Sequence, residues 1–176
     1  ESGQFCQRIM PDFLASYEIP IIYDPDSDRR CEQWLKFLEG TIQDEQTLLQ
    51  FQEYYGYCLT RETFAEKALL LLGSGSNGKS KAFAVLKALV GRDNYSSVQI
   101  GDLHKEFSRS QLYGKLVNIA SENARKPLDS TDVKAIISGD TINAAFKYGD
   151  GFSYDPYCKL VFSMNELPRV LDNTEG

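Results

Sequence analysis

From residue 64 onward, apolar runs alternate with segments in which apolar residues recur every three or four positions. Runs of strand length lie at Lys67–Leu72, Lys115–Glu122 and Lys159–Met164. Between the first two runs, a helical spacing is carried by Phe83, Leu86, Leu89 and Val90. This alternation predicts an α/β fold, in which helices flank both sides of a sheet.

Shorter elements are predicted between and after these runs. Tyr95–Ile100 has the pattern of a strand, whereas Leu103–Leu112 and Ser130–Ser138 have the pattern of helices. In the first of these helices we expect three residues to be buried: Leu103, Phe107 and Leu112. A β-hairpin is predicted from Thr141–Tyr148 and Phe152–Tyr154, which flank the turn residues Gly149–Gly151.

Residues 1–63 show a different pattern. The first 28 residues contain several prolines and aspartates and are predicted to be irregular. One helix is predicted from Arg30 to Leu38, ended by Gly40, and another from about Asp44 to Leu59. The second helix carries tyrosines that could stack on nucleobases, although such a stripe more often belongs to a core: Tyr54, Tyr55 and Tyr57. We therefore predict a small helical domain over residues 1–63 and a second domain over residues 64–176.

The stretch that follows the first strand of the second domain reads GSGSNGKS and fits the phosphate-binding pattern G-x-x-x-x-G-K-[ST]. In this pattern glycines let backbone N–H groups converge on an anion, the lysine contacts the β- and γ-phosphates, and the last hydroxyl binds Mg²⁺. A chance glycine-rich turn is disfavoured by the strand before and the helix after, whose N-terminus would face the phosphates. We predict that ATP and Mg²⁺ are bound here, by Gly73, Ser74, Gly75, Ser76, Asn77, Gly78, Lys79 and Ser80.

Two polar residues follow apolar strands and are candidates for the same site. Glu122 ends the run that starts at Lys115, and in phosphate-loop ATPases a strand beside the loop delivers such an acid to Mg²⁺ and the attacking water, although the sequence does not give the order of the strands. Asn165 follows the run Lys159–Met164, where an amide could hydrogen-bond a γ-phosphate or simply cap a turn. The residues themselves leave both roles of Asn165 open.

The composition is that of a globular protein, since 42% of the 176 residues are hydrophobic and 25% are charged. The net charge is −6, but residues 1–63 hold 5 Lys/Arg against 12 Asp/Glu while residues 64–176 hold 14 against 13. A DNA partner is therefore permitted by the charge without being indicated by it.

No apolar run approaches the ~18 residues of a membrane span. The lone histidine, His104, is expected to have a surface or structural role. The cysteines lack metal-ligand spacing and are expected to be reduced thiols of a cytoplasmic protein: Cys6, Cys31, Cys58 and Cys158.

Taken in order, several motifs of the chain resemble superfamily 3 helicases. More narrowly, they resemble the helicase part of the primase-helicases of phages, plasmids and mobile elements, which are related to the poxvirus primase-helicase. The motifs are the loop with Asn77 before Gly-Lys, Ala120-Ser121-Glu122, Lys134-x4-Gly139-Asp140, Phe146-Lys147-Tyr148, and Lys159-Leu160 leading to Asn165-x2-Pro168. The part before the loop is similar too, in Pro11-Asp12-Phe13, Tyr23-Asp24-Pro25 and Gln52-Glu53-Tyr54-x-Gly56-Tyr57-Cys58-Leu59.

The resemblance implies an AAA+-like phosphate-loop NTPase and an ATP-dependent DNA helicase that works in replication as a hexameric ring. Lys79 and Ser80 would hold the phosphates and Mg²⁺, Glu122 would polarise the attacking water and contact the metal, and Asn165 would sense the γ-phosphate. Lys147 would sit on a hairpin that grips DNA in the central channel, and Lys134 would lie on the helix before that hairpin. No membrane partner is expected.

Two departures from the family pattern affect the expected activity. A single acid stands at Ser121-Glu122, where many relatives have two. The arginine that such ATPases insert into the neighbouring subunit is expected beyond Gly176, since Arg169 is too close to Asn165 for that role. We therefore expect this chain to bind nucleotide but to hydrolyse it poorly by itself. The alternatives are a phosphate-loop kinase, which the scattered arginines disfavour, and an assembly module that does not turn over ATP.

Overall fold

The computed structural model describes residues 17–22, 24, 30–75, 77–121, 128–167 and 170–171. Their α-helices are α1 (Glu32–Thr41), α2 (Glu45–Tyr57), α3 (Lys79–Val90), α4 (Glu106–Ser110) and α5 (Ser130–Ser138). Their strands are β1 (Leu69–Leu72), β2 (Tyr95–Ser96), β3 (Val117–Ser121), β4 (Leu128–Asp129), β5 (Ile142–Ala145), β6 (Gly151–Tyr154), β7 (Lys159–Met164) and β8 (Val170–Leu171). None of these helices is long and apolar enough to cross a membrane.

Four strands form a parallel sheet in the order β1-β7-β3-β2. β7 is buried along its whole length because it lies between β1 and β3 and is covered on both faces. Two further pairs stand apart from this sheet, the parallel pair β4–β8 and the antiparallel hairpin β5–β6. The structure is thus a mixed α/β fold whose parallel sheet is flanked by helices, as the alternating pattern predicts.

One face of the sheet packs against α1, α2 and α3. Val117, Ile119 and Val161 of the sheet share a hydrophobic cluster with residues of all three helices. The hydroxyl of Tyr55 donates to the Ala82 carbonyl of α3 at 2.9 Å, and that of Tyr54 donates to the Leu160 carbonyl of β7 at 3.2 Å. The interpretation of these two tyrosines as core residues is confirmed, and the helices before the loop share a core with the sheet.

The opposite face packs against α5, the hairpin and the segments on either side of α4. Its cluster takes Leu160, Phe162 and Met164 from β7, because alternate side chains of a strand point to opposite faces. Arg109 of α4 is buried and joins the surrounding elements: its Nε donates to the Asn143 carbonyl of β5 at 2.5 Å, and its Nη1 donates to Asp132 Oδ1 of α5 at 2.9 Å. The hairpin is therefore anchored to α4 and α5.

Several predicted elements differ from those observed. The strand predicted over Tyr95–Ile100 ends at Ser96, because the side chain of Asn118 then bonds the backbone of Val98: Oδ1 accepts from its N–H at 2.7 Å and Nδ2 donates to its carbonyl at 2.9 Å. α1 continues through Gly40 to Thr41. The helix predicted over Leu103–Leu112 is only α4, and its other predicted residues lie in turns.

Burial also differs at two places. Phe107 is 49% exposed, although burial was expected. The expectation assumed one helix from Leu103 to Leu112, but both of these residues lie outside the short α4, so Phe107 does not share a helix face with them. β1 is not a fully buried strand: Leu70 and Leu72 are exposed while alternate residues pack on the α1–α3 cluster. His104 is exposed, as expected.

Candidate functional site

The carboxyl ends of β1 and β7 bring the glycine-rich loop and Asn165 together. Leu72 of β1 pairs in register with Met164 of β7, and the N–H of Gly73 donates to the Met164 carbonyl at 3.2 Å. The residues that follow each strand, Gly73 and Asn165, therefore start from the same edge of the sheet. Ligands of open parallel sheets bind at this edge.

The strand next to β1 is β7. The order of the strands was not predicted from the sequence, and in the structure β7 lies between β1 and β3, whose run ends toward Glu122. The amide of Asn165 consequently follows the neighbouring strand, and the end of β3 is one strand further away. Glu122 itself lies outside the described residues, as does Ser76.

Lys79 makes the contacts that join the loop to β7. It is the first residue of α3, after Gly78 with φ +84°. Its Nζ donates to the Gly73 carbonyl and lies 3.3 Å from Asn165 Oδ1. The ammonium group thus stands between the start of the loop and the end of β7, within reach of an anion bound there.

Two glycines of the loop have a neighbouring side chain in the space that a Cβ atom would occupy. A Cβ atom on Gly78 would lie 2.8 Å from Cε2 of Phe37, and the positive φ is itself unfavourable for other residues. A Cβ atom on Gly73 would lie 1.7 Å from Nδ2 of Asn77. The loop is therefore packed both against its own asparagine and against helix α1.

A cavity of about 650 Å³ opens at the loop. Its walls include Asn165, Lys81, three residues of α1 and, from the motif, Gly75, Asn77, Gly78, Lys79 and Ser80. Two of the described lining residues are lysines and none is an acid, so the described part of the lining is positively charged although the chain is acidic. A cavity of this kind suits a phosphate group. Gly73 contributes its carbonyl as the acceptor for Lys79, and Ser74 is exposed outside the lining.

Hydroxyl groups are the described candidates for Mg²⁺ at this edge. Ser80 lies exposed in the first turn of α3 and lines the cavity. Ser163 of β7 donates to Ser121 Oγ of β3 at 3.1 Å, at the side from which Glu122 continues. Hydroxyl oxygens fit a hard cation, so Ser80 is compatible with its expected role. Within the described residues, no group of three or more His, Cys, Asp or Glu side chains could hold a metal ion.

The two lysines expected to contact DNA are elsewhere on the surface. Lys147 is exposed in the turn between β5 and β6, with its Nζ 5.2 Å from the ring of Tyr148. Tyr148 is 97% exposed and has φ +63°. Lys134 is exposed on α5. Neither lysine lines the cavity at the loop, so the hairpin is a second surface and not part of the same pocket.

Phe37 and Thr41 of α1 were missed as site residues by sequence reasoning. Both line the cavity at the loop, and Phe37 is also the neighbour that fills the space beside Gly78. No signal in the sequence distinguishes them, since Phe37 is one member of the apolar stripe of its helix. Ser163 was also missed, although a hydroxyl inside an otherwise apolar strand was a usable signal.

Lys159, at the other end of β7, is a buried cation. Its Nζ donates to the carbonyls of Thr60 and Tyr157 and lies 4.7 Å from the ring centre of Tyr57. Burial lowers the pKa of Lys159 to about 8. The first residue of β7, Lys159, is therefore bonded to the segment that follows α2. Asn165, just after the last residue of β7, contacts Lys79.

A family model matches residues 71–175, a range that includes the whole loop motif, the hairpin and Asn165. The chain belongs to DUF5906. This DUF5906 family is described as a family of unknown function, so membership by itself assigns no activity. The matched range holds the loop, the hairpin and most of the sheet.

A curated relative of the DUF5906 chain carries a helicase name. "Putative helicase L207/L206" of Acanthamoeba polyphaga mimivirus is 27% identical over 158 residues, which cover 82% of this chain and 16% of that protein. The chain therefore spans a small part of this relative's length. The match makes the DUF5906 chain similar to a segment of a protein of the helicase type.

Solved structures of the apo C-terminal region of NrS-1 resemble the DUF5906 chain in fold. Two of them align with TM-scores of 0.67 and 0.64 at 17% sequence identity, covering 90% of this chain and 36% of theirs. At this identity the likeness concerns the architecture alone. It extends across both the helices before the loop and the sheet, because nine-tenths of the chain is aligned.

Proposed function

We propose that this DUF5906 chain is the ATP-binding part of a DNA helicase of the superfamily 3 type, which couples ATP hydrolysis to unwinding in replication. The observation that carries the proposal is the meeting of Lys79 and Asn165 at the carboxyl edge of the sheet, inside a positively charged cavity lined by the glycine-rich loop. The helicase-named relative and the fold of the NrS-1 structures support it.

The chemistry proposed is in-line attack of water on the γ-phosphate. Lys79 would stabilise charge on the transferring phosphoryl group, and the Asn165 amide would hydrogen-bond a γ-phosphate oxygen or the attacking water. Ser80 and Glu122 would hold Mg²⁺. When bound, the ion would neutralise part of the negative charge of the phosphates. An arginine from a neighbouring subunit would complete the site, since none of the described residues that line the cavity is an arginine.

The hairpin would be the DNA-contacting surface of the motor. Lys147 stands exposed at its turn, and the hairpin is fixed to α4 and α5 through Arg109. In a hexameric ring of identical subunits, one lysine per subunit would form a basic collar although each chain is acidic. ATP-driven movement of the helices would then be transmitted to the hairpin.

The test is ATP hydrolysis by the full-length protein, with and without single-stranded DNA, beside a Lys79→Ala variant. The proposal expects stimulation by DNA that is lost in the variant. A hydrolysis rate that DNA leaves unchanged but a small acceptor molecule increases would favour the kinase alternative. ATP binding without turnover under any condition would favour an assembly module.

A further inference from the structure

Helix α1 takes part in the cavity at the loop. Phe37, Gly40 and Thr41 line it together with the motif residues, although they precede the motif by more than thirty positions. The contact is close, because the rim of the Phe37 ring occupies the space where a Gly78 side chain would stand and Thr41 Cγ2 would lie 3.6 Å from it. α1 is therefore a wall of the proposed phosphate site.

A second cavity, of about 880 Å³, begins at the same place. It shares five residues with the first cavity: Phe37, Thr41, Asn77, Gly78 and Lys79. Its remaining walls come from α1, α2, β1 and the segment before β1, and most are apolar or aromatic, including Leu38, Ile42, Tyr54, Leu69 and Leu71. Its size is within the range of about 300–1,000 Å³ that is usual for small-molecule sites.

The two cavities together have the polarity of a nucleotide. The first is lined mostly by backbone, lysines, amides and hydroxyls, and the second is mainly apolar with a few polar or charged groups: Thr47, Gln50, Glu53 and Lys67. A nucleoside triphosphate likewise has an anionic chain at one end and a flat ring at the other. Phe37 stands at the boundary between the cavities, where one of its faces lies against Trp34 with ring centres 5.3 Å apart.

We propose that the apolar cavity is the nucleoside half of the nucleotide site, and that Phe37 is the aromatic residue against which the nucleobase stacks. This rests on the proposed binding of ATP at the loop. The Thr41 hydroxyl donates to the Phe37 carbonyl at 2.7 Å, which fixes this end of α1 and leaves its oxygen able to accept a bond from the ribose. Stacking accepts any base, but a purine has a larger ring system than a pyrimidine and stacks over more area. We therefore expect ATP to bind more tightly than CTP.

The test separates the nucleoside from the phosphates. Dissociation constants of the full-length protein are measured by calorimetry for ATP, CTP and inorganic tripolyphosphate, in the wild type, Phe37→Ala and Phe37→Tyr. The wild type is expected to bind ATP about tenfold or more tightly than tripolyphosphate. Phe37→Ala is expected to lose most of that ratio, and Phe37→Tyr is expected to retain it; the ratio is compared because Phe37 also borders the phosphate cavity.

Leu35→Ala is the matched control, because Leu35 is a partly exposed residue of the same helix that lines neither cavity. It is expected to leave both affinities unchanged. An ATP-to-tripolyphosphate ratio that is the same in the wild type and Phe37→Ala would overturn the inference. The same result is expected if another part of the chain covers the cavity, and the inference is then wrong as well. If the wild type binds neither ATP nor tripolyphosphate, the proposed function itself is wrong and the inference falls with it.

Discussion

The Nζ of Lys79 lies 3.3 Å from the Oδ1 of Asn165, across 86 positions of sequence. The contact exists because β1 and β7 are parallel neighbours whose carboxyl ends lie in register. It places a cation and a neutral amide at the same side of the loop cavity, so both can approach one phosphate group.

Replacing Asn165 tests its proposed contact with the γ-phosphate or the attacking water. In Asn165→Ala we expect ATP affinity to stay within a few-fold of wild type and the hydrolysis rate of the full-length protein to fall at least about tenfold, since amides that act mainly in a transition state affect the rate more than binding. Single-turnover hydrolysis and ATP titration measure the two effects. Glu166→Ala, at the exposed next position, should hydrolyse ATP normally. Equal ATP hydrolysis rates in Asn165→Ala and wild type would show that Asn165 only caps a turn.

Gly78→Ala should both destabilise the protein and weaken nucleotide binding. A methyl group there would meet the Phe37 ring at 2.8 Å and would require φ +84° from a non-glycine residue. We expect a loss of about 1–3 kcal/mol in the free energy of unfolding, measured by urea titration. Gly56→Ala is the control, because a Cβ atom at that position in α2 has open space around it. A Gly78→Ala protein as stable as wild type would show that α1 can move away from the loop.

The role of Lys147 can be measured by the salt dependence of DNA binding. If each subunit contacts one phosphate through Lys147, Lys147→Ala should weaken single-strand binding and reduce the slope of log K against log salt by about 0.7 per contact, with ATP binding unchanged. Lys36→Ala removes the same charge from an exposed position on α1 and should leave the slope as it is. An unchanged slope in Lys147→Ala would remove the hairpin from the proposed mechanism.

The ion pair between the buried Arg109 and the half-buried Asp132 should contribute to stability, and this shows when Arg109 is removed alone. The Arg109 side chain is 9% exposed and also bonds the backbone of β5, so Arg109→Leu breaks the hairpin's anchor and leaves a carboxylate without its cation. We expect a loss of about 3–5 kcal/mol in the free energy of unfolding. The double variant with Asp132→Leu should recover part of this loss. Additive losses in the double variant would mean that the ion pair itself contributes little.

The stability supplied around Lys159 should depend on pH. Burial lowers the pKa of Lys159 to about 8 from 10.5, so between these values the unfolded chain binds more protons than the folded one, and stability from this group rises with pH. The unfolding free energy of wild type minus that of Lys159→Met is therefore expected to increase by about 1 kcal/mol from pH 7 to pH 9. Denaturant titrations at the two pH values measure it. A difference that stays flat or falls would show that the ammonium group is not desolvated in the folded protein.

Local patterns in the sequence were enough for much of the fold. The bounds of α5 and β7 agree with the periodicity, because each of these elements buries a clear face or a whole strand. The stretch at Tyr95–Ile100 was not predictable in the same way, because its strand is ended by the side chain of Asn118, which lies 20 positions away from Val98. A long-range hydrogen bond of this kind leaves no periodic trace in the segment that it affects.

The sequence by itself determined the glycine-rich loop with a strand before it and a helix after it, and the polar residues that follow two apolar runs. Only the tertiary structure decided that β7 lies beside β1, so that Asn165 and not the end of β3 meets Lys79. It also decided that Phe37 packs against Gly78. The physical reason is that hydrophobic periodicity records which face of an element is buried, whereas the choice of neighbour depends on how distant helices and strands fit together in the core.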